Sequence, residues 1–508
     1  SSLSLDNRHL RMSHMSSDVH EEMNNEDEQQ IDNSATILEK IAKLYAERLL
    51  NDITLEVDGH QFAAHRLILI ASSDVFQVML MNPKWSESQE TRIVLHEEPE
   101  CVKVFPEFLK YLYIGRIKIN HLVVLPLLTL ADKYNVKDLV KLCVEFMCNH
   151  IVSAAKYNLI VSWLQYTLNC GHKDVYEACV KFVKFNFELI AKMEDFGNLE
   201  TWVLITFLQK SDLVITDEYT LFNFVTFWLS VQESKLKDNS KMEHLVQLVM
   251  QHIRFPNMSP NQLANLLLNP FVITYKEFFV SRMSLAMAFH NNKLEEYLSL
   301  NTDEHCFFDR LPKKQKLSPT SSSLLSICFS DSNQYTPRLY TTEKWGSTLV
   351  IENYRNLPIY GVRTLVFQTP SSLKESDLKL AHCKNEWVVD LYPKGVWFKK
   401  FLLILWQGTL EMPEYVLKTV RLSLTSLSAC KRVKIGVLIY GKKNDIEHVY
   451  SVYQREFVFT EKEKMLNINN LVPFEELNPL ATNVRSPYCI GPNNDTVKIQ
   501  IVITPVCF

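Results

Sequence analysis

The sequence predicts a multidomain α+β protein: an α/β domain near the N-terminus, an all-α stretch behind it, and a C-terminal antiparallel β-sandwich. Three observations carry that prediction. The stretch 51–80, NDITLEVDGHQFAAHRLILIASSDVFQVML, switches from a period of two to a helical period. Helical periodicity then runs unbroken from Ile151 to about Leu300, and from about Tyr340 the period returns to two. A chain of 508 residues is too long for one core, and domains of roughly 100–200 residues each suggest about three.

Residues 1–34 carry Glu21, Glu22, Glu26, Asp27 and Glu28 with hardly any aliphatic content, so a disordered acidic tail is expected. The α/β domain is placed at 35–150. Ser34 is expected to cap a helix whose Ile37, Leu38, Ile41, Leu44, Tyr45 and Leu49 form one stripe. Ile53, Leu55 and Val57 then alternate with polar residues, Asp58-Gly59 supplies a two-residue hairpin turn, and Phe62 resumes the pattern. From His65 a buried helix is expected. Ser72-Ser73 interrupts it and caps a second helix with Val75, Phe76, Met79 and Leu80 on one face. A strand at 92–95 follows. Pro106 is placed in the first turn of the next helix, where its missing N–H is tolerated, with Phe108, Leu109 and Leu112 buried. Two more helices are divided near Asn135.

The all-α region, 151–300, carries sets such as Ile160, Trp163 and Leu164, and a helix opened by Asp217-Glu218-Tyr219, acids at its favourable N-terminal end. Residues 301–340 contain LPKKQKLSPTSSS, a basic and then Ser/Pro-rich run expected to be a linker. In 341–508, Trp387/Val389/Leu391, Val433/Ile435/Val437/Ile439 and Val497/Ile499/Ile501/Ile503 alternate as the strands of a sandwich do.

Composition narrows the function. The net charge is -4, so no bulk attraction draws the chain to nucleic acid or membranes. The longest apolar run, Leu122 to Ala131, has about half the length a bilayer span needs. Eleven cysteines are scattered without a C-x-x-C pair, which fits buried thiols, and no metal site or cofactor is expected. Phosphate-loop, zinc-protease and nucleophile-elbow motifs are lacking, and an enzyme is not expected. The sequons at Asn257 and Asn494 are as many as chance gives a chain of this length. Lys313-Lys314-Gln315-Lys316 and Ser318-Pro319 are read as solvated linker.

Residues 51–150 resemble a BTB/POZ domain. The resemblance rests on Asn51-Asp52-Ile53, Ala64-His65-Arg66-Leu67, Ser73 with Val75-Phe76, Tyr113-Ile114-Gly115, Leu130-Ala131-Asp132-Lys133-Tyr134 and Leu142-Cys143, in that order. The following helices, most specifically SDLVITDEYTLFNFVTFWL, resemble a BACK domain, and Leu391-Tyr392-Pro393-Lys394-Gly395-Val396 with the terminal DTVKIQIVITPV resembles a TRAF-like (MATH-related) sandwich.

The resemblance implies a homodimer through the BTB domain, with Ile41, Leu44, Tyr45, Asp52 and His65 at or near its interface. Asp52 is read as a buried structural acid and His65 as a core histidine satisfied by hydrogen bonds. It further implies a helix that offers a cullin scaffold an apolar residue, any residue, and then an acid. Those positions are Met79-Leu80-Met81, so the acid is missing; Phe76, Met79, Met81 and Tyr113 are the candidate cullin-facing residues. Two readings stay open: an adaptor that presents a protein substrate held by the TRAF-like domain to a cullin-RING ubiquitin ligase, and a BTB-assembled scaffold with no ligase. The expected compartment is cytoplasmic or nuclear, with secretion, as in the galectin-3-binding-protein-like relatives of this architecture, requiring a signal peptide ahead of residue 1.

Overall fold

The computed structural model describes residues 31–236, 238–299, 332–378, 384–397, 418–428, 431–481 and 483–506. The acidic tail up to residue 30, the Lys313–Lys316 run and Ser318 lie outside these. The chain divides into two compact units, 1–141 and 142–508, and the division falls within one helix.

The first unit is built on a three-stranded sheet ordered β2-β1-β3. β1 (Ile53–Val57) runs antiparallel to β2 (His60–Ala64) and parallel to β3 (Arg92–Leu95). Asp58 and Gly59 both take positive φ, 49° and 77°, the geometry of a tight hairpin turn whose twist matches its strands. The inward residues Ile53, Leu55 and Val57 are buried. Helix α1 (Ser34–Ala46) precedes the sheet; α2 (Arg66–Ser72) and α3 (Asp74–Met81) separate β2 from β3; α4 (Pro99–Ile114), α5 (Val124–Lys133) and α6 (Lys137–Asn149) follow.

Four local expectations are corrected. Ser34 does not cap α1: the position before the helix is Asn33, and Asp32 Oδ1 accepts the Ser34 N–H. α2 is not a buried helix, for only Leu69 is buried and Leu67 is 75% exposed. Val75 leaves the α3 core face and is exposed. Pro106 sits inside α4, not in its first turn, which Pro99 occupies. A mid-helix proline forgoes one backbone hydrogen bond, a cost of about 3 kcal/mol or more. Eight buried side chains of this helix, from Cys101 to Tyr113, offset it at roughly 1.5–3 kcal/mol for each large apolar group. The Ser73 cap is present: Ser73 Oγ accepts the Phe76 N–H at 3.1 Å and donates to the Tyr134 carbonyl.

The second unit opens with a helical domain: α7 (Ile151–Lys156), α8 (Ile160–Cys170), α9 (Lys173–Phe185), α10 (Phe187–Ala191), α11 (Thr201–Gln209), strand β4 (Val214–Ile215), α12 (Glu218–Lys235), α13 (Asn239–Met250), α14 (Pro260–Leu266), α15 (Pro270–Thr274) and α16 (Lys276–His290). Asp217 caps α12, its carboxylate accepting the Thr220 N–H at 2.7 Å.

The described end of the expected linker, residues 332–340, is part of the fold. Its strand β5 (Leu339–Tyr340) pairs in parallel with β4 of the helical domain. The sandwich follows as two antiparallel sheets. One is ordered β11-β10-β13-β6, from β6 (Gly346–Ile351), β10 (Lys431–Lys443), β11 (Ile446–Phe459) and β13 (Val497–Pro505). The other is ordered β12-β9-β8-β7, from β7 (Arg363–Pro370), β8 (Lys384–Tyr392), β9 (Arg421–Ser426) and β12 (Met465–Ile468). The alternating residues read from the sequence, Trp387 to Leu391, Val433 to Ile439 and Val497 to Ile503, fill one core between them.

Candidate interaction surface

In the first unit, α1 and α2 both pack on α4. None of the α1 residues is fully buried. Ile41, Leu44 and Tyr45 are half-buried, and Tyr45 stacks on Tyr113 of α4 at 4.4 Å. Ile37 and Leu38 stay 56% and 47% exposed, and Leu49 and Leu50 just beyond the helix are exposed as well. An apolar stripe covered on one side only is what a partner surface presents.

His65 fastens the segment that follows this helix. A carbonyl can only accept, so His65 Nε2–H donates to Leu49 O at 2.7 Å, and Nδ1 accepts from the Tyr113 hydroxyl at 2.9 Å. That hydroxyl accepts the His65 N–H in turn, at 2.9 Å. Burial pushes the Tyr113 phenol up to about 12, against the opposing pull of the His65 N–H, so it stays a neutral donor. Both imidazole nitrogens are thereby committed. Asp52 is exposed, not buried: it caps α2 from outside, Oδ1 accepting the Arg66 N–H at 2.8 Å.

The four cullin-facing candidates separate. Phe76 is buried and stacks on Tyr134 at 4.6 Å, and Tyr113 is committed to His65, so both are internal. Met79 is half-buried, while Met81 is 59% exposed. The outward face of α3 is instead Val75, Val78 and Met81, spaced three apart, with the exposed Trp85 just after it. Val78 and Trp85 were missed in the sequence; the i, i+3 spacing from Val75 was the signal that could have found Val78.

The second unit holds a site that sequence reading did not foresee, at the end of α11. A helix leaves its last carbonyls without backbone partners. Here three cations supply donors, for Leu208 and Gln209 at its end and for Lys210 and Ser211 just beyond it. Arg338 Nη1 donates to Leu208 O and Lys210 O, Arg254 Nη2 to Gln209 O, and Lys434 Nζ of β10 to Ser211 O, at 2.6–3.2 Å. Glu218 of α12 sets one carboxylate against the two arginines. Its side chain and that of Arg338 are both wholly buried, with Nε to Oε2 at 3.1 Å, and it accepts from Tyr340 Oη and the Arg254 N–H. Burial alone would raise the Glu218 carboxyl; Arg338 and Arg254 outweigh it and hold the group below its ordinary range. Burial, reinforced by Arg254, pushes Lys434 down to about 8.

Two further contacts join the helical domain to the sandwich. Gly436 of β10 lies under Leu339 of β5, and a Cβ there would come within 2.6 Å of Leu339 Cδ2, so the leucine side chain would have to turn aside. The Asn186 amide accepts the Val449 N–H at 2.7 Å and donates to Val449 O at 3.1 Å, standing in for a neighbouring strand on the β11 edge. At one end of the sandwich a cleft of about 550 Å³ is lined by Tyr354, Ile359, Phe474, Leu477, Leu480 and Val484, among others.

Both sequon asparagines are engaged: Asn257 Nδ2 donates to Gln334 O and Asn494 Nδ2 to Ser486 O. Among the described residues there is no cluster able to hold a metal ion, and no helix long and apolar enough to cross a membrane.

Residues 41–151 match the family model described as BTB/POZ domain, residues 160–268 that described as BTB And C-terminal Kelch (BACK), and residues 335–507 that described as BTBD17 TRAF domain. The last begins inside the stretch expected to be linker. Similar proteins include BTB/POZ domain-containing protein 17 of Xenopus laevis, 26% identical over 442 residues, 84% of each chain. The protein of that name from Homo sapiens is 27% identical over 347 residues, 67% of this chain and 63% of its own. Galectin-3-binding protein of Rattus norvegicus is 24% identical over 352 residues, 67% of this chain and 56% of its own.

Proposed function

From a chain that carries BTB/POZ, BACK and TRAF domains in that order, a protein-interaction architecture, we propose a homodimeric adaptor that brings a protein held by its TRAF domain to a cullin-RING ubiquitin ligase. The observation that carries the self-association is α1, whose stripe is covered by its own domain on one side only. A second copy is the occupant chosen, because burying Ile37, Leu38 and their equivalents would add roughly 1.5–3 kcal/mol for each side chain fully covered. The cullin is assigned to the outward α3 face, Val75, Val78 and Met81. Substrate capture falls to the sandwich, where the cleft beside the fully exposed Leu480 is the place to probe first. No chemical step is assigned to the chain itself.

A second reading, a BTB-assembled scaffold with no ligase, is favoured by one residue: Met81 stands where the family's cullin-binding helix has an acid. A charge-assisted contact is worth about 1.5–3 kcal/mol, so its loss weakens the proposed contact without abolishing it.

The test uses the intact chain, a cullin scaffold and light scattering. The adaptor reading expects a particle of twice 59.2 kDa that binds the cullin, a Met81→Arg variant that stays dimeric and loses it, and a Met81→Glu variant that binds about tenfold or more tightly. A well-folded dimer without cullin affinity, unmoved by Met81→Glu, leaves the scaffold. A monomer removes both.

A further inference from the structure

His290 closes α16, and its imidazole is buried where the helical domain meets the sandwich. Nδ1 faces the Glu375 N–H of the sandwich at 3.3 Å, and Nε2 faces Met258 O at 2.7 Å. An amide N–H can only donate and a carbonyl can only accept. The ring is therefore neutral, with its hydrogen on Nε2, and Nδ1 is the acceptor that ties the Glu375 turn down. Burial keeps the ring's pKa below its ordinary value, and Lys344 adds to that; the Met258 carbonyl and Glu375 pull the other way.

The neighbouring contacts are polar and shallow. Asn292, two residues past α16, donates to Ser376 Oγ at 2.7 Å and Asp377 Oδ1 at 3.1 Å, and accepts from Lys374 Nζ at 2.8 Å. Lys374 Nζ also lies 5.5 Å from the centre of the Phe289 ring. The charged groups facing this corner are thus Lys344, Lys374, Glu375 and Asp377. All belong to the sandwich side, and they sum to zero.

We propose that this corner is a proton-operated clasp: a proton on Nδ1 of His290 puts a second donor against the Glu375 N–H, breaks that contact, and leaves the 374–377 turn on the solvent-facing Asn292 and Lys374 contacts alone, so that it loosens from the helical domain. The release is local. The Glu218–Arg338 pair, the Lys434 contact and the β4–β5 pairing contain no imidazole, and the junction's other buried histidine, His448 of β11, packs on Phe182 of α9 at 5.3 Å and makes no contact with the 374–377 turn.

Hydrogen–deuterium exchange of the intact chain, corrected for the intrinsic pH dependence of amide exchange, reads the clasp. Between about pH 7.5 and about pH 5, protection at 374–378 is expected to fall about tenfold while that at Leu339 and Tyr340 stays within about twofold. His290→Gln offers a donor and an acceptor without titrating, and holds the turn at both pH values. Glu375→Pro deletes the N–H at the first position of its short helix, where proline is tolerated, and leaves the turn open at both. Unchanged protection in the parent overturns the clasp. So does an equal acid loss in His290→Gln or, if that variant does not fold, a Glu375→Pro turn that is protected at neutral pH and opens with acid.

Discussion

Two helices of this chain leave something that their own residues do not satisfy, and they leave different things. α1 leaves apolar side chains: Ile37 and Leu38 are exposed, and nothing among the described residues covers them. α11 leaves carbonyls, and the chain itself supplies the partners, from Arg254 and from Arg338. An apolar remainder is tolerable in water and can wait for another molecule. A buried carbonyl without a donor is not tolerable, so the chain returns to it. The difference teaches which surface is for partners and which is for the fold.

The comparison breaks most sharply at the buried end. Arg338→Met leaves Glu218 and the Leu208 and Lys210 carbonyls in the interior without the Arg338 guanidinium, and the expected loss is about 3–5 kcal/mol by denaturant unfolding. A loss under about 1 kcal/mol would mean that Arg254 and Tyr340 alone suffice. The exposed end is sharpened by Leu38→Asp. Folding stability is expected to stay within about 0.5 kcal/mol, because the side chain is half exposed already, while self-association weakens about tenfold or more by sedimentation equilibrium. Equal self-association in both proteins would take α1 out of the interface. The smallest effect belongs to a cap. Ser73→Ala removes an acceptor from the Phe76 N–H and a donor from Tyr134 O, and about 1 kcal/mol of stability should go by thermal denaturation, with dimerisation unaltered.

The same division governs what could be read in advance. The Asp58-Gly59 turn, the Ser73 cap and the alternation in Trp387–Leu391 or Val433–Ile439 are local: each signal and its consequence lie within a few residues. Pro106 misled because a local penalty was taken as decisive, when eight buried neighbours in α4 outweigh it. Phe76 and Tyr113 were placed at a partner surface because the motif that carries them does not say which way a side chain points. Glu218 was read as a favourable charge at a helix start, and so it is, but its defining partner lies 120 residues away. Residues 332–340 look like linker in composition, since Pro337 and Arg338 have no periodicity, and only the carbonyls of α11 explain why an arginine is buried there. Pairings across such distances leave no trace in a single sequence.

The end of α11 also has a timetable. Leu208 leaves the ribosome 130 residues before the arginine that caps its carbonyl. At roughly 5–20 residues per second, that is an interval of about 6.5–26 s. Through that interval the helical domain exists with one helix end open and β4 lacking its neighbour, an unpaired edge of the kind that attracts other strands. A chain stopped near residue 300 would stay in that condition, so a truncation there should aggregate, although α1 to α16 would already have been made.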